Sequence, residues 1–224
     1  MTVNANPYIV TSGLTFDLDA ANPRSYPGTG TTWYDVSGSS VRGTLTNNPT
    51  YSSANLGGIS FDGIDDYVEL NSSTLITGTN AFTVDCFYKI TVANNGGVIL
   101  TTYGAGYVSS SYMWISGQFG LYIGGAVYFP GYPLSAGTYH LACTRDTSGN
   151  CVLYKNGVSV NTGVLNGSLG TSVNFRMGTD TNSSGGAGGE QLNGIIYSLR
   201  IYNVVLTSDQ ILQNFNALRG RYGI

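Results

Sequence analysis

Short stretches in which apolar and polar residues alternate, each cut off by Gly, Asn, Asp or Pro, run through this chain from Leu14 to Tyr202. Period-two alternation turns one set of side chains to one face of a strand, so it predicts half-buried β-structure. The predicted strands are Leu14–Leu18, Gly58–Phe61, Tyr67–Leu70, Phe82–Ile90, Val98–Thr102 and Tyr112–Ser116. They continue with Phe119–Ile123, Tyr139–Arg145, Cys151–Lys155, Val158–Val160, Phe175–Met177 and Ile195–Tyr202. Strands are expected to take up more than half of the ordered chain. Asn156-Gly157 supplies the positive φ angles of a two-residue hairpin turn, and Asp146–Asn150 closes a longer hairpin.

Register across that longer hairpin follows by counting. Arg145 faces Cys151 and Cys143 faces Leu153, all four on one side of the sheet. Cys143 and Cys151 are then diagonal neighbours about 7–8 Å apart at Cα, beyond the roughly 7 Å reach of a disulfide. Both read as buried apolar residues, as does Cys86. The buried set should include Phe61, Val84, Cys86, Leu141, Leu153 and Ile201.

The period changes once. Thr207-Ser208-Asp209-Gln210 fits a capping box, and Ile211, Phe215 and Leu218 follow at helical spacing. A helix of at most three turns is expected over 207–219, with Gly220 as its stop. The fold expected from the pattern is all-β, with residues 1–224 as one domain and residues 1–12 as an N-terminal arm. At 224 residues such a domain buries a core without disulfides or metals.

Composition narrows the function. Charged residues are 9% of the chain, beside 32 glycines and 17 tyrosines, against about 25% charged in ordinary soluble domains. With a net charge of −3 and arginines scattered from Arg24 to Arg221, there is no basic stripe for nucleic acid. No apolar run approaches the ~20 residues of a membrane helix. The N-terminal residues lack the basic and apolar regions of an export signal, which points to synthesis in a cytoplasm.

Several ordered segments resemble the concanavalin A-like lectin/glucanase superfamily, in its laminin-G-like jelly-roll branch. They are Leu18–Pro23, Trp33–Gly38 with Gly43–Leu45, Ser60–Val68, Phe82–Asp85, Thr138–Gly157 and Leu192–Asn216. The resemblance implies a two-sheet antiparallel jelly-roll sandwich that binds glycans or proteins, often with calcium at its rim. Stand-alone domains carrying these segments look similar to proteins of bacteriophages and marine bacteria. A phage virion surface protein on capsid or tail reconciles an extracellular-looking surface with the absence of an export signal. Its partners would be other virion proteins, copies of itself (a trimer is common in such appendages), and a surface glycan. A purely structural cement protein and a secreted bacterial adhesin domain are the alternatives.

Asp62, Asp65 and Asp66 crowd one turn. Their side chains suit turn capping, calcium ligation with Asp19 nearby, or a catalytic carboxylate pair. Glycoside hydrolysis needs two carboxyl groups flanking the bond, and Glu69 and Glu190, the two glutamates, sit in no E-x-D-x-E array. His140 is the single histidine; it lacks a serine motif and reads as structural, so no catalysis is expected. Tyr103, Tyr107, Tyr128 and Tyr132 alternate with Gly, Ser and Pro in loops and are the candidates for stacking on a sugar. Trp33 reads as structural.

Overall fold

The computed structural model describes residues 7–54, 56–91, 97–102, 110–115, 119–123, 126–128, 135–170, 174–179 and 191–224. At 110–115, 119 and 126–128 the description is of the backbone. In chain order the strands begin with β1 (Leu14–Asp19), β2 (Thr32–Tyr34), β3 (Arg42–Thr46), β4 (Thr50–Ser52) and β5 (Gly58–Asp62). Next come β6 (Tyr67–Leu70), β7 (Phe82–Ile90), β8 (Leu100–Thr102), β9 (Ser110–Ile115), β10 (Phe119–Ile123) and β11 (Ala126–Tyr128). The set closes with β12 (Gly137–Arg145), β13 (Asn150–Lys155), β14 (Val158–Val164), β15 (Arg176–Met177), β16 (Asn193–Tyr202) and the helix α1 (Ser208–Tyr222).

These strands form two antiparallel sheets of eight. The first runs β14-β13-β12-β7-β16-β5-β4, with β1 also paired to β16. One edge of β16 lies along β7, while the other is shared by β5 and β1. The second sheet runs β11-β10-β9-β8-β15-β6-β3-β2. Between the sheets sits a core containing Phe16, Trp33, Phe61, Val68, Val84, Cys86, Leu141, Cys143, Leu153 and Ile201. All six residues expected to be buried are buried. This is the two-sheet jelly-roll sandwich that the resemblance implies, although strands cover slightly less than the expected half of the described residues.

The hairpin registers are as counted, with Arg145 opposite Cys151 and Cys143 opposite Leu153. Asn156 and Gly157 take φ of 51° and 79° in the two-residue turn between β13 and β14. Cys86, Cys143 and Cys151 are buried free thiols.

Strand β7 is buried along both faces. Its even residues enter the core between the sheets, while Thr83, Asp85 and Phe87 point to α1. Thr207 caps that helix through the reciprocal capping box with Gln210. The helix runs past Gly220 to Tyr222, fifteen residues in all, longer than the three turns expected. Tyr222 explains the extra turn, since it buries its ring against Phe87 and Tyr197. The stop is Gly223, at φ 69°, whose N–H donates to the Arg219 carbonyl. Residues 8–10 lie against the same helix: Val10 N–H donates to Asn214 Oδ1, and Gln213 Nε2 donates to the Tyr8 carbonyl. Among the described residues no helix is long and apolar enough to cross a membrane.

Candidate functional site

The acidic trio sits where β5 turns into β6. Gly63 makes the turn at φ 79°, and a Cβ there would approach Asn193 Cβ to 2.8 Å. Asp62 Oδ1 accepts from Ile64 N–H at 2.8 Å, and Asp66 Oδ2 accepts from Asp62 N–H at 3.0 Å. Asn47 Nδ2 donates to the Asp65 carbonyl and Asn193 Nδ2 to the Asp62 carbonyl. Turn capping therefore accounts for one oxygen of Asp62 and one of Asp66. It does not account for the rest.

One carboxylate oxygen from each of Asp62, Asp65 and Asp66 lies within 4.8 Å of the others. Asp62 and Asp65 are exposed, whereas Asp66 is 5% exposed and its Oδ1 has no hydrogen-bond partner. A buried polar oxygen without a partner costs about 1–3 kcal/mol, more if charged. Burial, with the charges of Asp62 and Asp65 beside it, pushes the Asp66 carboxyl up to about 6 against the Asp62 N–H bond. Three converging carboxylates, one of which carries an unsatisfied buried oxygen, fit a hard cation such as calcium. Asp19 is not part of this group. Both its oxygens bind Arg221 Nη1, at 2.9 and 2.8 Å, and Oδ1 also takes the Ala21 N–H.

His140 lies far from any nucleophile's role. It is fully buried beneath α1, with Nε2 2.8 Å from Asp85 Oδ2 and its ring between Phe87 and Phe215. Asp85 also accepts from Arg200 Nη1 at 3.1 Å and from Asn214 Nδ2 at 3.2 Å. Arg200 Nε is 3.2 Å from Asp17 Oδ1, completing a sealed charged network. Sequence reading missed this network, since its members lie on separate strands and one helix.

Trp33 is buried in the core, as expected. Tyr103, Tyr107 and Tyr132 fall outside the described residues, as do Glu190 and the side chain of Tyr128. A further polar cluster marks the outer face of the second sheet. There Arg176 Nε and Nη2 bind Glu69 Oε2 at 3.1 and 3.0 Å, and its guanidinium lies 4.7 Å from the Tyr67 ring centroid.

Solved structures of the same fold match the chain over most of its length. It superposes on domain 4 of AbnA, a GH43 extracellular arabinanase from Geobacillus stearothermophilus, in complex with arabinotriose. The TM-score is 0.68 at 18% identity, covering 91% of this chain and 98% of that one. Trypanosoma rangeli sialidase in complex with sialic acid matches with TM-score 0.65 at 17% identity, covering 97% of this chain and 36% of the sialidase. A structure described as a receptor binding domain matches with TM-score 0.67 at 14% identity, covering 93% and 52%. The chain thus spans about a third of the sialidase. Identities this low show shared fold alone. No curated protein matches the chain. A family model does match, over residues 62–212, and by it the chain belongs to the concanavalin A-like lectin/glucanases superfamily.

Proposed function

We propose that this chain is a non-catalytic, lectin-like module that binds a surface glycan, with a calcium ion held by Asp62, Asp65 and Asp66. The observation that carries the reading is the unpartnered, buried Asp66 Oδ1 beside two exposed carboxylates at the rim of the sandwich. A bound cation would satisfy that oxygen and offset the burial of its charge, which the protein itself leaves uncompensated. The low charge content and lectin-type sandwich suit a ligand dense in hydroxyl groups.

Support for a non-catalytic role comes from how six further carboxylates among the described residues are engaged. Asp17 and Asp85 face Arg200, Asp19 binds Arg221, and Glu69 binds Arg176. Asp35 and Asp146 cap their own loops. His140 has no route to a substrate from beneath α1.

The platform proposed for this module is the surface of a bacteriophage virion, on capsid or tail, among other virion proteins or copies of itself. The test is a glycan array probed with and without calcium, together with assay of purified virus particles for the chain. Calcium-dependent retention of a glycan and co-purification with particles support the reading. Retention on no glycan in either condition would overturn the lectin role and leave only protein contacts.

A further inference from the structure

A cleft lies at the opposite end of the sandwich from the acidic trio. Strand β16 separates the two: Asn193, paired with Asp62, begins it, and Asn203 follows its last residue. Ten residues of strand put roughly 30 Å between them. Around Asn203 opens a cleft of about 560 Å³, lined by Thr15, Thr74, Thr77, Asn80, Thr147 and Asn203. Its apolar lining is Leu75, Ile76, Ala81 and Phe82. The volume falls within the ~300–1,000 Å³ of ordinary small-ligand sites.

Arg145, 1% exposed at the end of β12, stands two residues before Thr147 and holds the backbone next to Thr77. Its Nε donates to the Leu165 carbonyl at 3.0 Å, Nη2 to Gly167 at 2.7 Å, and Nη1 to Gly78 at 3.5 Å. Gly78 and Leu169 exchange both backbone hydrogen bonds at 2.9 Å. One buried cation thus ties the segment before β7 to the segment after β14. Within the first segment, Asn80 Nδ2 donates to Thr77 Oγ1 at 3.2 Å. Groups held in place before binding lose little freedom when a ligand arrives.

The lining defines the ligand's chemistry. Among the described residues it holds no ionisable side chain, so they offer a charged ligand no counter-charge. Threonine hydroxyls and asparagine amides each donate and accept, which matches the dual character of sugar hydroxyls. Thr15 Oγ1 donates to the Ile201 carbonyl and so keeps acceptor capacity toward the cleft. Leu75 and Ala81, both half-buried, offer apolar surface for the C–H face of a sugar ring.

We infer that this cleft binds a neutral mono- or disaccharide unit, independently of the acidic trio. The inference rests on the lectin reading above and adds to it a second sugar site that needs no calcium. The test is amide NMR titration of the full chain with galactose, glucose, N-acetylglucosamine, arabinotriose and, as the charged arm, sialic acid, each with calcium and with EDTA. A neutral sugar should shift resonances of 74–82, 147 and 203 in both conditions. Thr147→Arg and Asn203→Lys, both at exposed positions, should weaken that binding at least tenfold. Melting temperatures of the variants confirm that they are folded. Shifts confined to 62–66, or unaltered binding by both cleft variants, overturn the cleft assignment while the lectin reading stands. Binding of sialic acid with no neutral sugar bound also overturns it. No shift with any sugar overturns both.

Discussion

Oδ2 of Asp85 lies 2.8 Å from Nε2 of His140, and neither side chain reaches solvent. Burial alone would raise the Asp85 carboxyl, but His140, Arg200 and Asn214 together hold it below the usual carboxylate range. A carboxyl lowered in the folded state stabilises the fold above its unfolded value of about 4, and that contribution is lost as pH falls below it. Stability measured by urea titration should therefore fall on acidification below about pH 4. Asp85→Ala leaves Arg200 with one fewer partner and should cost about 3–5 kcal/mol near neutral pH. An unchanged urea midpoint in that variant would show that the network contributes nothing.

The helix over the first sheet depends on its cap. Thr207→Ala removes the hydroxyl that receives Gln210 N–H, at 3.3 Å, and should lower stability by about 1 kcal/mol. Loss of the near-ultraviolet signal of Tyr222 at lower urea than the rest of the protein would show α1 detaching first. A single unshifted transition would contradict it.

Cys86, Cys143 and Cys151 report strand phase directly. Burial pushes the first two thiols far up and Cys151 to about 11. Because the thiolate is the reactive form, iodoacetamide at pH 8 should label none of the three in the native protein and all three in urea. Rapid native labelling of any one would mean that its strand is out of phase.

Much of this architecture could be read from the chain because its long strands announce themselves. Phe82–Ile90 and Ile195–Tyr202 carry dense apolar side chains, and Asn156-Gly157 fixes a hairpin by turn chemistry alone. The strands left unread, β2, β3, β4 and β11, are short; β3 buries only Gly43 and Leu45, too few for a pattern. Gly220 misled as a helix stop because a glycine on an exposed helix face is tolerated, and the pull of Tyr222 into its aromatic pocket lies outside local sequence. Of the sites, the Asp62–Asp66 crowding was visible, but the burial of Asp66 was not. The cleft was invisible altogether, since Thr15, Thr74, Thr147 and Asn203 come together only through the topology.

The same carboxylates should not catalyse. Asp66 with a raised carboxyl beside Asp62 and Asp65 has the outline of a hydrolytic pair, yet it is buried. Incubation with laminarin, agarose, alginate or bacterial surface polysaccharide should release no reducing ends. Steady release that disappears in Asp65→Asn or Asp66→Asn would make the chain an enzyme.

Calcium binding by metal-stripped protein, followed by isothermal titration calorimetry alongside thermal melts, tests the account at its centre. One ion per chain should bind, and millimolar calcium should raise the melting temperature, because the ion binds the folded state selectively. Asp66→Asn should remain folded, since it removes a buried charge, while losing at least tenfold in calcium affinity. Absence of both heat and melting shift in the unmutated chain would reduce Asp62, Asp65 and Asp66 to turn chemistry. Unaltered binding in Asp66→Asn would put the ion elsewhere.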